Sequence, residues 1–167
     1  MKRRTFVAIA SAAPWSSFVH AEDAASDTRP LITWPDIQLL DGGILSPASW
    51  HGQPAVVVFW ATYCPFCKRH NAHVDKLHRA SRSQSLRVLG VAIDGDADSV
   101  RRYMATNGYA FPVALDNGDL RRRLSLRRVI PMTCVIDRQS RLLQAIPGEM
   151  FEDDVLGLAR TLQRQPA

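Results

Sequence analysis

The sequence predicts an α/β sandwich, and three observations carry that expectation. Strand-like and helix-like segments alternate along the chain from about residue 31. The run AVVVFWA (55–61) is apolar without alternation, as a strand covered on both faces would be. The length, 167 residues with 46% apolar and 22% charged, suits one domain with a real core.

The elements follow in order. Lys2, Arg3 and Arg4 open the chain, FVAIASAA (6–13) is a short apolar stretch, and Val19-His20-Ala21 places small residues where a signal peptidase reads. Residues 1–21 therefore read as a secretory signal peptide, cleaved after Ala21, which implies export to the periplasm. A membrane anchor is the alternative, against which stand the shortness of the stretch and Pro14. RRTFV resembles the twin-arginine export motif, and the export route stays open. EDAASDTRP (22–30) reads as a flexible tether, and residues 31–165 as the folded domain.

Within that domain, DIQLLDGGILS (36–46) reads as a hairpin turning at Asp41-Gly42-Gly43. After the buried strand 55–61, residues 64–80 form a helix with Val74 and Leu77 inward. LRVLGVAI (86–93) is a second buried strand. DADSVRRYMATNG (96–108) is a capped helix that stops at Gly108. FPVAL (111–115) is a short strand and GDLRRRLSL (118–126) a further helix. MTCVID (132–137) and RLLQAI (141–146) form a strand pair about a polar turn, and FEDDVLGLARTLQR (151–164) closes the chain as an amphipathic helix. There is no internal repeat.

Charge excludes little. The chain holds 21 basic and 16 acidic residues, but three of the basic ones and no acidic one lie in the first 21 positions. The processed chain would carry +2, which does not argue for a nucleic-acid partner. One basic cluster remains, RRRLSLRR, with Arg121, Arg122, Arg123, Arg127 and Arg128. It reads either as a solvated helix face or as a docking surface for an acidic partner.

The chemistry concentrates in FWATYCPFCKRH (59–70). A structural disulfide between Cys64 and Cys67 would close a tiny loop and constrain the unfolded chain little. A zinc site needs four ligands, and Cys134 stands alone. A redox dithiol fits the placement. Cys64 would sit at the first turn of a helix, where free N–H groups and the dipole favour its thiolate. Pro65 suits that turn because it has no N–H to satisfy. Cys67, nearly one turn on, would resolve the mixed disulfide.

VVVFWATYCPFCKRH resembles the active-site segment of thioredoxin-fold proteins, and the chain resembles the exported TlpA/ResA-like branch. DIQLLDGGILSPASWHGQPAVVVFWA, LRVLGVAIDGDADSVRRYMATNGYAFPVALD and RRVIPMTCVIDRQSRLLQAIPG resemble its N-terminal hairpin, its strand-helix insert and its proline loop with final hairpin. The resemblance covers about residues 31–160. It implies a thioredoxin-like three-layer α/β/α sandwich with an N-terminal β-hairpin and a central strand-helix insert. It also implies a periplasmic thiol-disulfide oxidoreductase, a reductant of protein disulfides in cytochrome c or metal-site maturation. Its partners would be protein dithiols and disulfides and a membrane electron donor, with no bound cofactor. Pro131 would be a cis-proline opposite the dithiol, and Ile130 would offer backbone to a client peptide, with Arg127 and Arg128 close to that groove.

Departures matter. Tyr63 replaces the Trp often found before the first cysteine, and Val58 stands where relatives place an acid or polar residue. His70 and Ala72 replace a Glu and a Pro. With Val58 apolar, His70 is the local candidate to accept the Cys67 proton; a partly exposed helix histidine is its plain alternative. His73 and His78 read as surface residues, Cys134 as a buried strand thiol, and Asp94 has no assigned role. Three other functions compete. A disulfide-forming oxidant of the DsbA type would differ in potential, and the uncharged Pro65-Phe66 pair does not favour it. A copper metallochaperone would resemble relatives with a wider cysteine spacing and a distant histidine, whereas no histidine follows His78. A peroxidase would resemble relatives with Thr where Ala61 stands.

Overall fold

The computed structural model describes residues 28–82, 85–124 and 126–164. The expected signal peptide and most of the expected tether lie outside them. The described end of that tether is tied down. Arg141 donates to the Arg29 carbonyl at 2.8 Å, and the Leu142 N–H donates to the Pro30 carbonyl at 2.9 Å. Among the described residues, no helix is long and apolar enough to cross a membrane.

The chain runs β1 (Ile37–Gln38), β2 (Ile44–Leu45), a 3-10 turn (Pro47–Trp50), β3 (Ala55–Trp60), α1 (Pro65–Ala80), β4 (Arg87–Ala92) and α2 (Ala97–Asn107). It continues through β5 (Val113–Leu115), α3 (Asp119–Arg123), β6 (Met132–Ile136), β7 (Leu142–Pro147) and α4 (Glu152–Gln163). β1 and β2 form the hairpin. The other five strands form one sheet in the order β5-β4-β3-β6-β7, parallel across β3, β4 and β5 and antiparallel beyond β3.

β3 is apolar throughout because it lies mid-sheet with both faces covered. Val56, Val58 and Trp60 join α1, α2 and α4 through Val74, Leu77, Val100, Val155, Leu158 and Leu162. Ala55, Val57 and Phe59 face the other core, with Ile32, Trp34, Trp50, Leu120 and Leu124. The 3-10 turn, which no sequence pattern announced, places Trp50 flat on Trp34 with ring centroids 3.9 Å apart.

The N-terminal segment covers the β5 edge and meets the start of β7, which blunts the sheet as a template for pairing. Leu39 bridges Ala114 on β5, and the Leu40 N–H donates to the Val113 carbonyl at 2.8 Å. Leu31 bridges Arg141 beside β7. α2 forms as expected: the Asp96 side chain caps it by accepting from the Asp98 and Ser99 N–H groups, and Gly108 ends it at φ 66°. The helix expected over 118–126 stops at Arg123. Leu124 and Leu126 both pack on the second core, and a spacing of two cannot share one helix face.

Candidate active site

β3 delivers the chain to the site. Past Trp60 a tight turn forms, in which the Cys64 N–H donates to the Ala61 carbonyl at 3.3 Å. Asp94, just beyond β4, pins this turn. Its carboxylate accepts the Thr62 N–H at 3.1 and 3.2 Å, and the Thr62 hydroxyl as well. The residue left without a role in the sequence thus holds the loop that presents the cysteines.

Cys64 is the N-cap of α1 and Pro65 occupies its first position. The Cys64 sulfur accepts the Cys67 N–H at 3.1 Å. The two cysteines form a disulfide with their Cα atoms 5.2 Å apart. Cys64 is 8% exposed and Cys67 fully buried, so only the first residue of the pair reaches solvent. Tyr63 and Phe66 flank it as large exposed apolar side chains.

The Ile130–Pro131 peptide bond is cis. Met132 pairs with Phe59 across the sheet, so Pro131 enters β6 beside the point where the chain leaves β3 for Cys64. The Pro131 carbonyl is taken by the Gly148 N–H at 2.8 Å. Ile130 is half-buried, packed against the cluster that contains both cysteines.

His70 departs from both of its expected forms. It is fully buried, not a partly exposed helix residue. Its Nε2 lies 2.9 Å from the Thr133 hydroxyl oxygen, and its Nδ1 accepts the Met150 N–H at 3.3 Å. An Nδ1 that accepts carries no proton, so Nε2–H is the donor toward Thr133. Burial, and secondarily the charge of His73, push its pKa down to about 4. The ring is neutral at neutral pH, and both nitrogens are committed. Neither a cation beside the thiolate nor a free base for Cys67 follows from this geometry.

Thr133, unremarked in the sequence, completes the arrangement. It pairs with Val58 across β3 and β6. His73, half-buried, lies with Nδ1 3.3 Å from the Met150 carbonyl. The two histidines thus grip opposite ends of one residue's backbone, tying α1 to the segment before α4. Cys134 is a fully buried strand thiol, pushed up to about 12 by burial.

Comparison with known proteins agrees with this geometry. The model of the AhpC/TSA family matches residues 30–145. The thiol-disulfide oxidoreductase ResA of Halalkalibacterium halodurans is 27% identical over 116 residues, covering 70% of this chain and 66% of that protein. The ResA of Geobacillus kaustophilus is 26% identical over 125 residues, covering 74% and 72%. The crystal structure of a thioredoxin-family thiol:disulfide interchange protein from Chlorobium tepidum TLS superposes with a TM-score of 0.73. At 24% identity it covers 80% of this chain and 95% of that one, a likeness of fold.

Proposed function

From the premise that this chain belongs to the AhpC/TSA family, we propose that it is an exported thiol-disulfide oxidoreductase that reduces protein disulfides. One observation carries the exchange chemistry: a slightly exposed Cys64 sulfur at a helix N-terminus, accepting an N–H, joined to a fully buried Cys67. In the reduced state the helix N–H groups stabilise the Cys64 thiolate. That thiolate attacks a client disulfide, forming a mixed disulfide and releasing one client thiolate. Cys67 gives up its proton and attacks the Cys64 sulfur, which closes the internal disulfide and releases the second client thiolate. Two electrons and the Cys67 proton pass to the client, and the second proton comes from solvent, which took the Cys64 proton when the thiolate formed. The client thiolate freed first can take the Cys67 proton, so the mechanism does not need the committed imidazole of His70. His70 serves instead as a positioning residue that ties α1 to Thr133 and Met150. The Ile130 backbone, just ahead of Pro131, offers the client an edge beside Cys64.

Reduction, not oxidation, is the favoured direction because neither His70 nor Arg69 offers the thiolate an unmet charge. His70 is neutral. Arg69 lies over the Phe66 ring at 5.2 Å, but its charge is met by Glu149 at 2.7 and 2.5 Å. A less stabilised thiolate makes a more reducing pair. Clients would be disulfides formed in cytochrome c or metal-site cysteines, and a membrane protein would return electrons to the dithiol. Equilibration with glutathione buffers tests the direction. The potential is expected toward the thioredoxin end of the scale, about −270 mV, and a value near the oxidant end, about −120 mV, would overturn it.

A further inference from the structure

The five arginines of RRRLSLRR do not share one fate. Arg122 and Arg123 pair with Asp119 on α3, at 3.1 and 2.8 Å. Arg121 turns inward and is only 11% exposed. Its guanidinium lies over the Phe59 ring at 4.5 Å. Its Nε donates to Asp116 at 3.1 Å and its Nη1 to the Arg127 carbonyl at 3.1 Å. Its Nη2 is buried with no partner among the described residues. A buried donor left unmet costs on the order of 1–3 kcal/mol, more when charged.

That guanidinium lines a cavity of about 320 Å³ together with Ile93, Asp116, Gly118, Arg128 and Ile130. Asp116 has no oxygen to spare: one takes Arg121 and the other the Gly118 N–H at 2.8 Å. Arg128 is exposed and has no ion-pair partner among the described residues. The cavity therefore holds two guanidiniums against one occupied carboxylate. Its floor is also fixed, because Arg121 anchors the loop that carries Arg127 to Ile130.

We propose that Arg121 and Arg128 form a carboxylate subsite beside Ile130, which selects client segments bearing Asp or Glu near the disulfide. This rests on the exchange reaction proposed for Cys64 and Cys67. A client strand laid along Ile130 passes the cavity mouth, and a carboxylate there meets the unpaired Arg128 with the Arg121 charge behind it. The site gives partner choice and a faster encounter.

Two synthetic disulfide peptides, identical except for Glu or Gln beside the cysteine, test it against the reduced protein. The Glu peptide is expected to react about tenfold faster at low ionic strength, a margin that shrinks with added salt. In the Arg128→Gln variant the ratio of the two rate constants should fall to near one. Equal rates with the native protein, or a Glu preference that survives Arg128→Gln, overturns the subsite. If free glutamate slows both peptides alike, the cavity takes a small carboxylate and the client reading fails. If neither peptide is reduced, the exchange reaction itself falls, and the subsite with it.

Discussion

Burial moves the His70 imidazole from an ordinary 6.5 to about 4, so the unfolded chain binds this proton more tightly than the folded one. The stability linked to it is whole above about pH 6.5 and is lost as the pH falls toward 4, in all on the order of 3 kcal/mol. His70→Gln keeps a donor for Thr133 and removes the titration. Urea unfolding at pH 7 and pH 4.5 should show the native protein losing markedly more stability than this variant; parallel losses would mean the ring does not titrate in this window. Thr133→Val keeps the shape and removes the acceptor, leaving a buried N–H unmet, at a cost of about 1–3 kcal/mol at pH 7. An unchanged urea midpoint would contradict the Nε2–H tautomer. The cysteines stood out at this scale because their spacing, set between a strand and a helix start, points to exchange chemistry. Thr133, Asp94 and the Met150 backbone did not. Thr133 reaches His70 only through the β3–β6 register, and Asp94 reaches Thr62 only because β4 lies beside β3.

Elements were legible where one pattern had one structural solution. A continuous apolar run needs two covering layers, so β3 and β4 could be placed; an Asp and a Gly at the two ends bounded α2. What failed depended on packing that no local pattern encodes. α3 ended early because the chain had to bury Leu124 and Leu126 and then turn toward Pro131. The 3-10 turn exists to stack Trp50 on Trp34. β4 holds the sharpest test of element packing. A methyl added at Gly90 would meet Phe111 Cε2 at 2.7 Å and Trp60 Nε1 at 2.8 Å, both on rings packed in the core. Alanine suits a strand better than glycine, yet overpacking outweighs that preference. Gly90→Ala should therefore lose about 1–3 kcal/mol, read as a lowered Tm. A rise in Tm would show that the two rings yield freely.

Cys134 turns the whole molecule into its own stability gauge. With the Cys64–Cys67 disulfide closed, it is the only thiol left among the three cysteines of the chain. It lies mid-sheet on β6, paired with Val57 on one side and Ala145 on the other. It is fully buried, and its pKa of about 12 leaves almost no thiolate in the folded state. Alkylation near neutral pH must therefore pass through an opened form in which the thiol regains its ordinary acidity. The architecture makes partial opening costly. Leu39 and Leu40 cover the β5 edge, and Leu31 bridges Arg141 at the start of β7. The second core, which includes Cys134, ties β3, β4 and β6 to the N-terminal tryptophans and Leu120. Freeing Cys134 should then require the global transition, and the labelling free energy should match that from denaturant unfolding within about 1 kcal/mol. Both follow from reacting the oxidised protein with an alkylating reagent at graded urea concentrations. A labelling free energy several kcal/mol smaller would mean that β6 and β7 detach while the rest stays folded. The half of the sheet that leads to Cys64 and Cys67 would then not be cooperative with the half that carries the Pro131 loop.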